Sequence, residues 1–321
     1  MTFSMHHPAT WLTGYIPDLP TPLDNAGEID LGAFRRLCER QIAAGATALV
    51  VGETTGEDST LDHAEHTALV RVAVRASRGR AAIIAGAGSN STSEAIELTR
   101  RAEADGADAV LSVTPCYNKP TQAGIHAHFR AIADNTRLPI ILHDVPSRTV
   151  RELADDTVAR LAESPQFAGL RDATGDLARP QRLRVLTGPR FRLLSGDDTA
   201  APAFLVHGGD GCISITSNVI PEICQQLYRS CKEGDLQLAR VLAMRVGRLT
   251  ATLSRDSTPA PLKYALSLLG LMSPRIRLPL VELAEPAKAE VAAAIRIIEE
   301  DDKLPPVNGF APGIQAPDSV H

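Results

Sequence analysis

The stretch GLRDATGD, residues 169–176, ends an apolar run with an arginine, Arg171, just before a turn. Other residues able to do chemistry close similar runs. They are Thr54 and Thr55 in GETTGE, Tyr117 in TPCYNKP, and His143 and Asp144 in ILHDVPSR, with Arg148 just beyond. Asp197 and Asp198 in SGDD, and Ser214 and Thr216 in GCISIT, complete the set. GETTGE offers backbone N–H groups and two hydroxyls in a small glycine-bounded loop that can cradle a carboxylate, or is a plain turn. Tyr117 is a proton carrier or a ring packed at a rim. With a reference pKa of about 6.5, His143 suits a general base, although a lone histidine is often a satisfied core residue. Placement at a strand end beside Arg171 favours the base. Arg171 can hold a carboxylate bidentately or stabilise a developing oxyanion, but it stays protonated and cannot act as a nucleophilic amine.

Such residues need a frame to bring them together, and the run pattern supplies one. Short, continuous apolar segments occur at 47–52, 81–86, 108–114, 138–145, 167–173, 191–196 and 211–216, with a weaker first member, GYIPDLPTP, near residue 14. Segments of helical spacing lie between them, at 31–45, 91–106 and 122–135. Thr92 or Ser93 marks a helix start, and Gly45 and Gly106 fall where helices end. Runs without alternation suit parallel strands covered on both faces. The sequence therefore predicts an α/β chain, a (β/α)8 TIM barrel over 12–222. A C-terminal helical extension follows over 223–301, and a proline- and glycine-rich tail, 302–321, is expected to be disordered. An open doubly wound sheet is the runner-up, but no GxGxxG follows the first strand. In such a barrel these residues converge at the C-terminal ends of the strands, where barrel enzymes keep their active sites.

Composition narrows the partners. The 321 residues are 44 % hydrophobic and 22 % charged, with a net charge of −5 and no basic block, so neither nucleic acid nor an anionic membrane is expected. The five cysteines are scattered, with no CxxC pair, as in a reduced cytosolic protein. The opening MTFSMHHPATW has no leader pattern, and no apolar run approaches the roughly 20 residues of a membrane span. A cytoplasmic location is expected.

The loops GETTGEDSTLDHAEH, AGAGSNSTSEAI, TPCYNKPTQAGIHAHF, ILHDVPSRT, ATGD, LLSGDD and GCISITSNV together resemble the dihydrodipicolinate synthase and N-acetylneuraminate lyase family, colinearly from about residue 12 to residue 300. PSRT, with Arg148, is closer to the synthase branch. The resemblance implies condensation or cleavage of 2-oxo acids through a lysine Schiff base, with no cofactor and no metal. It puts the pyruvate carboxylate in the Thr54–Thr55 turn, with Thr54 also relaying protons. Tyr117 would complete that relay across the interface of a homodimer or homotetramer. Arg148 would hold the carboxylate of an aldehyde such as aspartate semialdehyde, and Ile213 would line the pyruvate pocket. His63, Asn90 and Glu94 match a lysine-feedback site, with Cys116 where an aromatic neighbour is usual.

Two departures fall at the reacting centre: the family's Schiff-base lysine lands on Arg171 and its relay tyrosine on His143. None of the five lysines (Lys119, Lys232, Lys263, Lys288, Lys303) offers itself as a replacement amine. The expectation is a pyruvate aldolase or lyase of this type with weak or altered catalysis, in which Arg171 steadies an enolate and His143 takes the proton. A non-catalytic 2-oxo acid-binding paralogue, or a regulatory or structural subunit, is the alternative. A metal-dependent aldolase using His143 with Asp144 or Asp172 is a third reading, lacking a clear third ligand. His126 and His128, two apart on a helix, read as surface, the histidines of LDHAEH as a surface pair or part of an effector site, and Glu57 and the SGDD carboxylates as loop-fixing groups.

Overall fold

Apolar runs without alternation need cover on both faces, and this chain provides it by following nearly every strand with a helix. A computed structural model describes residues 9–301. The elements begin β1 (Gly14–Pro17), α1 (Leu31–Ala43), β2 (Ala48–Val51), α2 (His63–Ser77), β3 (Ala82–Gly86), α3 (Thr92–Ala104), β4 (Ala109–Val113) and α4 (Gln122–Ala133). They continue with β5 (Ile140–Asp144), the single turn α5 (Pro146–Thr149), α6 (Asp155–Ala162), β6 (Phe167–Asp172), α7 (Arg179–Thr187), β7 (Arg192–Ser195), α8 (Ala201–Val206) and β8 (Gly211–Ser214). Four helices follow: α9 (Pro221–Glu233), α10 (Leu236–Leu253), α11 (Ala260–Leu268) and α12 (Glu285–Asp301).

All eight strands pair in parallel in the order β1-β8-β7-β6-β5-β4-β3-β2. The seam between β1 and β2 is bridged at Asp18 and Val50, and the Leu19 amide donates to the Val50 carbonyl at 3.0 Å. The sheet is thus a (β/α)8 barrel with C-terminal helices. Its interior is filled by Ile16, Val50, Ile84, Leu111, Ile141, Leu194 and Ile213, while a separate buried layer, including Leu49, Ile83, Val110 and Leu170, joins the sheet to its outer helices. The boundary expected at 222/223 falls inside α9, the helix that covers β1. Its Gln225 amide donates to the Tyr15 carbonyl at 2.7 Å. No described helix is long and apolar enough to cross a membrane. Residues 1–8, which open the stretch read for a leader, and the tail at 302–321 lie outside the described residues.

Local signals explain the boundaries. Asp30 caps α1, and Asp62 with Glu65 forms a reciprocal capping box at the start of α2. Helix α3 starts at Thr92 with Glu94 in its first turn, and its preceding residue is Ser91. Gly45 and Gly106 follow the last turns of α1 and α3 with φ of +94° and +90°, the left-handed step that glycine takes without strain. Two histidine readings need correction. His128 is buried, with its Nδ1 3.0 Å from the Thr92 hydroxyl and its ring edge-on to Phe129, because α4 turns that side inward. His63 is exposed, but His66 is buried one turn later with its Nε2 2.9 Å from the Gly86 carbonyl.

The β2 and β3 ends approach too closely for side chains. A Cβ on Gly86 would lie 2.0 Å from the Gly52 carbonyl oxygen, and one on Gly52 would lie 2.6 Å from the His66 ring. Gly247, inside α10, has open space around it. Gly86→Ala should therefore lower unfolding free energy by about 3 kcal/mol or more, whereas Gly247→Ala should raise it by up to about 1 kcal/mol. Urea midpoints of the two variants beside the native chain check both signs.

Candidate active site

On neighbouring strands with matched register, successive side chains alternate between the two faces of the sheet. His143 on β5 pairs with Arg171 on β6, and Asp144 pairs with Asp172. The first pair turns into the barrel and the second turns out, and each finds buried counter-charges. Inside, the Arg171 Nη1 donates to Glu53 Oε2 and Asp18 Oδ2, both at 3.0 Å. Glu53 Oε1 lies 2.9 Å from His143 Nδ1, and its Oε2 also accepts from the Thr54 amide at 2.7 Å. Outside, Arg179 of α7 is fully buried and donates to Asp144 Oδ2 at 2.8 Å and to Asp155 Oδ1 at 3.0 Å, with Asp172 Oδ1 at 3.4 Å. The carboxylates that could have joined His143 around a metal are therefore held by Arg179 on the other face. Among the described residues, no group of three or more His, Cys, Asp or Glu side chains is placed to hold a metal ion.

A long guanidinium fits here because its neighbour is small. A Cβ on Gly196, at the end of β7, would lie 3.1 Å from the Arg171 Cγ. Arg171 is 4 % and His143 3 % exposed, so their protonation follows from burial and neighbours. Burial opposes the Arg171 charge, but Asp18 and Glu53 outweigh it and hold the proton more firmly than usual. Burial would likewise raise Glu53, yet His143 and Arg171 keep its carboxyl well below the ordinary carboxylate range. Burial lowers His143 against the pull of Glu53, and Arg171 lowers it further, so its imidazole is neutral near pH 7. Burial pushes Asp18 up, Arg171 pulls it down and Glu53 pushes it up again, leaving it at about 7. The site is one cation shared by a firm carboxylate and a titrating one, with a neutral imidazole alongside.

The remaining candidates fall around this centre unevenly. Thr54 and Thr55 occupy a one-turn 3-10 helix, Thr54–Gly56, capped by the Glu53 carboxylate, and buried Thr55 helps hold Asp18 in its ionised form. Ile213 lies in the interior layer on β8. Arg148, on α5, is exposed, and its charge is felt at His143. Tyr117 has φ of +66° and is 90 % exposed. His63 Nε2 and Glu94 are 3.6 Å apart, while the Asn90 carbonyl accepts instead from the Asn118 side-chain amide at 2.9 Å. Asp198 fixes the loop after β8 by accepting from the Ile215 and Thr216 amides, both at 2.9 Å. Glu57 pairs with the fully buried Lys263 of α11 and accepts from the Arg277 amide at 2.9 Å. Lys263, distant in sequence, is thus docked under the Thr54–Thr55 turn.

Sequence reasoning missed Glu53 and Asp18. Both follow short strands, and a buried guanidinium demands counter-charges at neighbouring strand ends; that demand was the available signal.

With this architecture and mouth geometry in place, comparison with known proteins is specific: the chain belongs to the dihydrodipicolinate synthetase family, whose model matches residues 11–298. It is 48 % identical over 283 residues to the 4-hydroxy-tetrahydrodipicolinate synthase of Phenylobacterium zucineum, covering 88 % of this chain and 96 % of the relative. To the enzyme of that name from Hyphomonas neptunium it is 49 % identical over 286 residues, covering 88 % and 97 %. Among solved structures, it is similar to the chloride-inhibited dihydrodipicolinate synthase from Acinetobacter baumannii complexed with pyruvate. That match has a TM-score of 0.86 and 41 % identity, covering 89 % of this chain and 98 % of that one.

The Asp18 carboxyl titrates higher in the folded chain than its ordinary value near 4. Its contribution to stability is therefore present below about pH 4 and lost as pH rises through about 7. Asp18→Asn removes this dependence. The difference in melting temperature between the native chain and Asp18→Asn should shift in favour of the variant from pH 4 to pH 8, as thermal unfolding across that range will show.

Proposed function

We propose that this chain is a pyruvate aldolase or lyase of the dihydrodipicolinate synthase type that works through an enolate held by charge rather than through a Schiff base. The observation that carries the reading is the inward pair His143 and Arg171, a neutral imidazole beside a guanidinium at the barrel mouth. A guanidinium offers no free amine near pH 7, so Arg171 cannot take the covalent role that the resemblance assigns to its position. It can stabilise an oxyanion. Asp18 and Glu53 engage only its Nη1; Nη2 and Nε make no hydrogen bond to a described residue.

In this reading the pyruvate carboxylate sits in the Thr54–Thr55 turn and its ketone oxygen faces Arg171. His143 removes a proton from the methyl carbon, and the negative charge moves onto the ketone oxygen. The enolate carbon then bonds to the aldehyde carbon of the second substrate, whose oxygen takes up the proton from His143. Protons on hydroxyl groups pass through Thr54 and Tyr117. Arg148 holds the carboxylate of an aldehyde such as aspartate semialdehyde, and Ile213 lines the pyruvate pocket. The 90 % exposure of Tyr117 supports its insertion into the site of a second copy in a homodimer or homotetramer. The His63–Glu94 pair supports an effector site for lysine, with Asn90 as its third residue.

One observation favours a second reading, a 2-oxo acid-binding subunit without catalysis: two carboxylates already neutralise Arg171, which weakens it as an oxyanion partner. Product formation from pyruvate and aspartate semialdehyde separates the two. The native chain should turn over above background, and His143→Ala should fall by about 10²–10⁴-fold, the range of general-base catalysis. Activity confined to the Arg171→Lys, His143→Tyr double variant would instead establish the binding subunit.

A further inference from the structure

We infer that Glu53 is the positioning residue of this site: its single carboxylate sets which nitrogen of His143 carries the proton and, in the same act, fixes the aim of Arg171. The inference deepens the enolate reading above and rests on it only for the catalytic consequence.

Both Glu53 oxygens are committed. Oε1 faces His143 Nδ1, while Oε2 accepts from the Thr54 amide and from Arg171 Nη1. An ionised carboxylate has no proton to give, so the hydrogen in the Glu53–His143 bond belongs to Nδ1. A neutral imidazole then keeps its lone pair on Nε2, which makes no hydrogen bond to a described residue. That is the tautomer a base needs. When Nε2 takes a proton, the imidazolium lies against the Glu53 charge, as in a carboxylate–histidine pair of a hydrolytic triad. The other charges bearing on the imidazole are Arg171 across the strand pair and Arg148 on α5, both of which oppose protonation. Asp18 reaches the imidazole through Arg171. Because the same carboxylate caps the Thr54–Gly56 turn, the carboxylate cradle, the base and the oxyanion partner share one anchor.

The inference makes an unusual demand on Glu53→Gln, which keeps the shape and loses the charge. The Gln carbonyl must face Arg171 and the Thr54 amide, both donors. Its NH2 therefore meets His143 Nδ1, and the imidazole proton moves to Nε2.

The test is nitrogen NMR of the full chain with ¹⁵N-histidine, the His143 signals being assigned by their absence in His143→Asn, together with deuterium incorporation into the pyruvate methyl group in D₂O. The native chain should show Nδ1 protonated and Nε2 bare. Glu53→Gln should show the reverse and lose about 10²–10⁴-fold in exchange rate, and Glu53→Asp should recover the native tautomer. A native His143 protonated on Nε2 overturns the inference without any variant being needed, as does a Gln variant with an unchanged tautomer. If the tautomers follow Glu53 but the native chain exchanges no methyl protons, Glu53 keeps its positioning role and the enolate reading fails.

Discussion

A guanidinium at the inner end of a barrel strand is tolerable only with a counter-charge in contact, and the Arg171–Glu53 bond is the interaction on which the rest of this mouth depends. Removing one partner of a buried ion pair leaves an uncompensated charge, at a cost of about 3–5 kcal/mol. Here the pair also does geometric work. It ties the turn after β2 to β6, reaches β5 through His143, and reaches the β1–β2 seam through Asp18. Asp18 is itself seated by the Asn218 side chain, which donates to its carbonyl at 2.9 Å. The polar centre is therefore part of how the barrel closes.

This explains which parts were legible in the sequence. Strands announce themselves by composition: ALVV, AIIAG and IILHD are apolar runs that only a doubly covered sheet can bury. Arg171 and His143 stood out because they interrupt such runs. Glu53 and Asp18 did not. Each lies just past a strand, where a carboxylate normally belongs in water, and their burial results from pairing between strands far apart in the chain. His128 and His66 were misplaced for a related reason, since spacing along one helix does not say which side the neighbouring helix or strand will cover. The relation between Lys263 and Glu57 spans 206 residues, and no local pattern encodes it.

That last contact gives the C-terminal helices a stake in the mouth. Glu57, at φ of +61°, ends the Thr54–Gly56 turn, and α11 holds it through Lys263. Burial lowers the pKa of Lys263, and the Glu57 carboxylate offsets only part of that. A ligand that tightens the turn must, by reciprocity of coupled equilibria, also tighten the docking of α11. Arg277 extends the link by reaching Glu65 at the start of α2 with both guanidinium ends.

The two buried charge clusters lie back to back across β5 and β6, with His143 and Arg171 serving one and Asp144 and Asp172 the other. Because the pleat alternates at every residue, sliding either strand by one position would swap its two end residues between faces. A slipped β6 would carry a carboxylate toward Glu53 and Asp18, and a guanidinium toward Arg179. Like would meet like on both sides of the wall at once. The charges thus act as a key cut on two edges: they admit one alignment of the strand pair and reject its nearest competitors, at the level where reacting atoms must be placed to a fraction of an ångström.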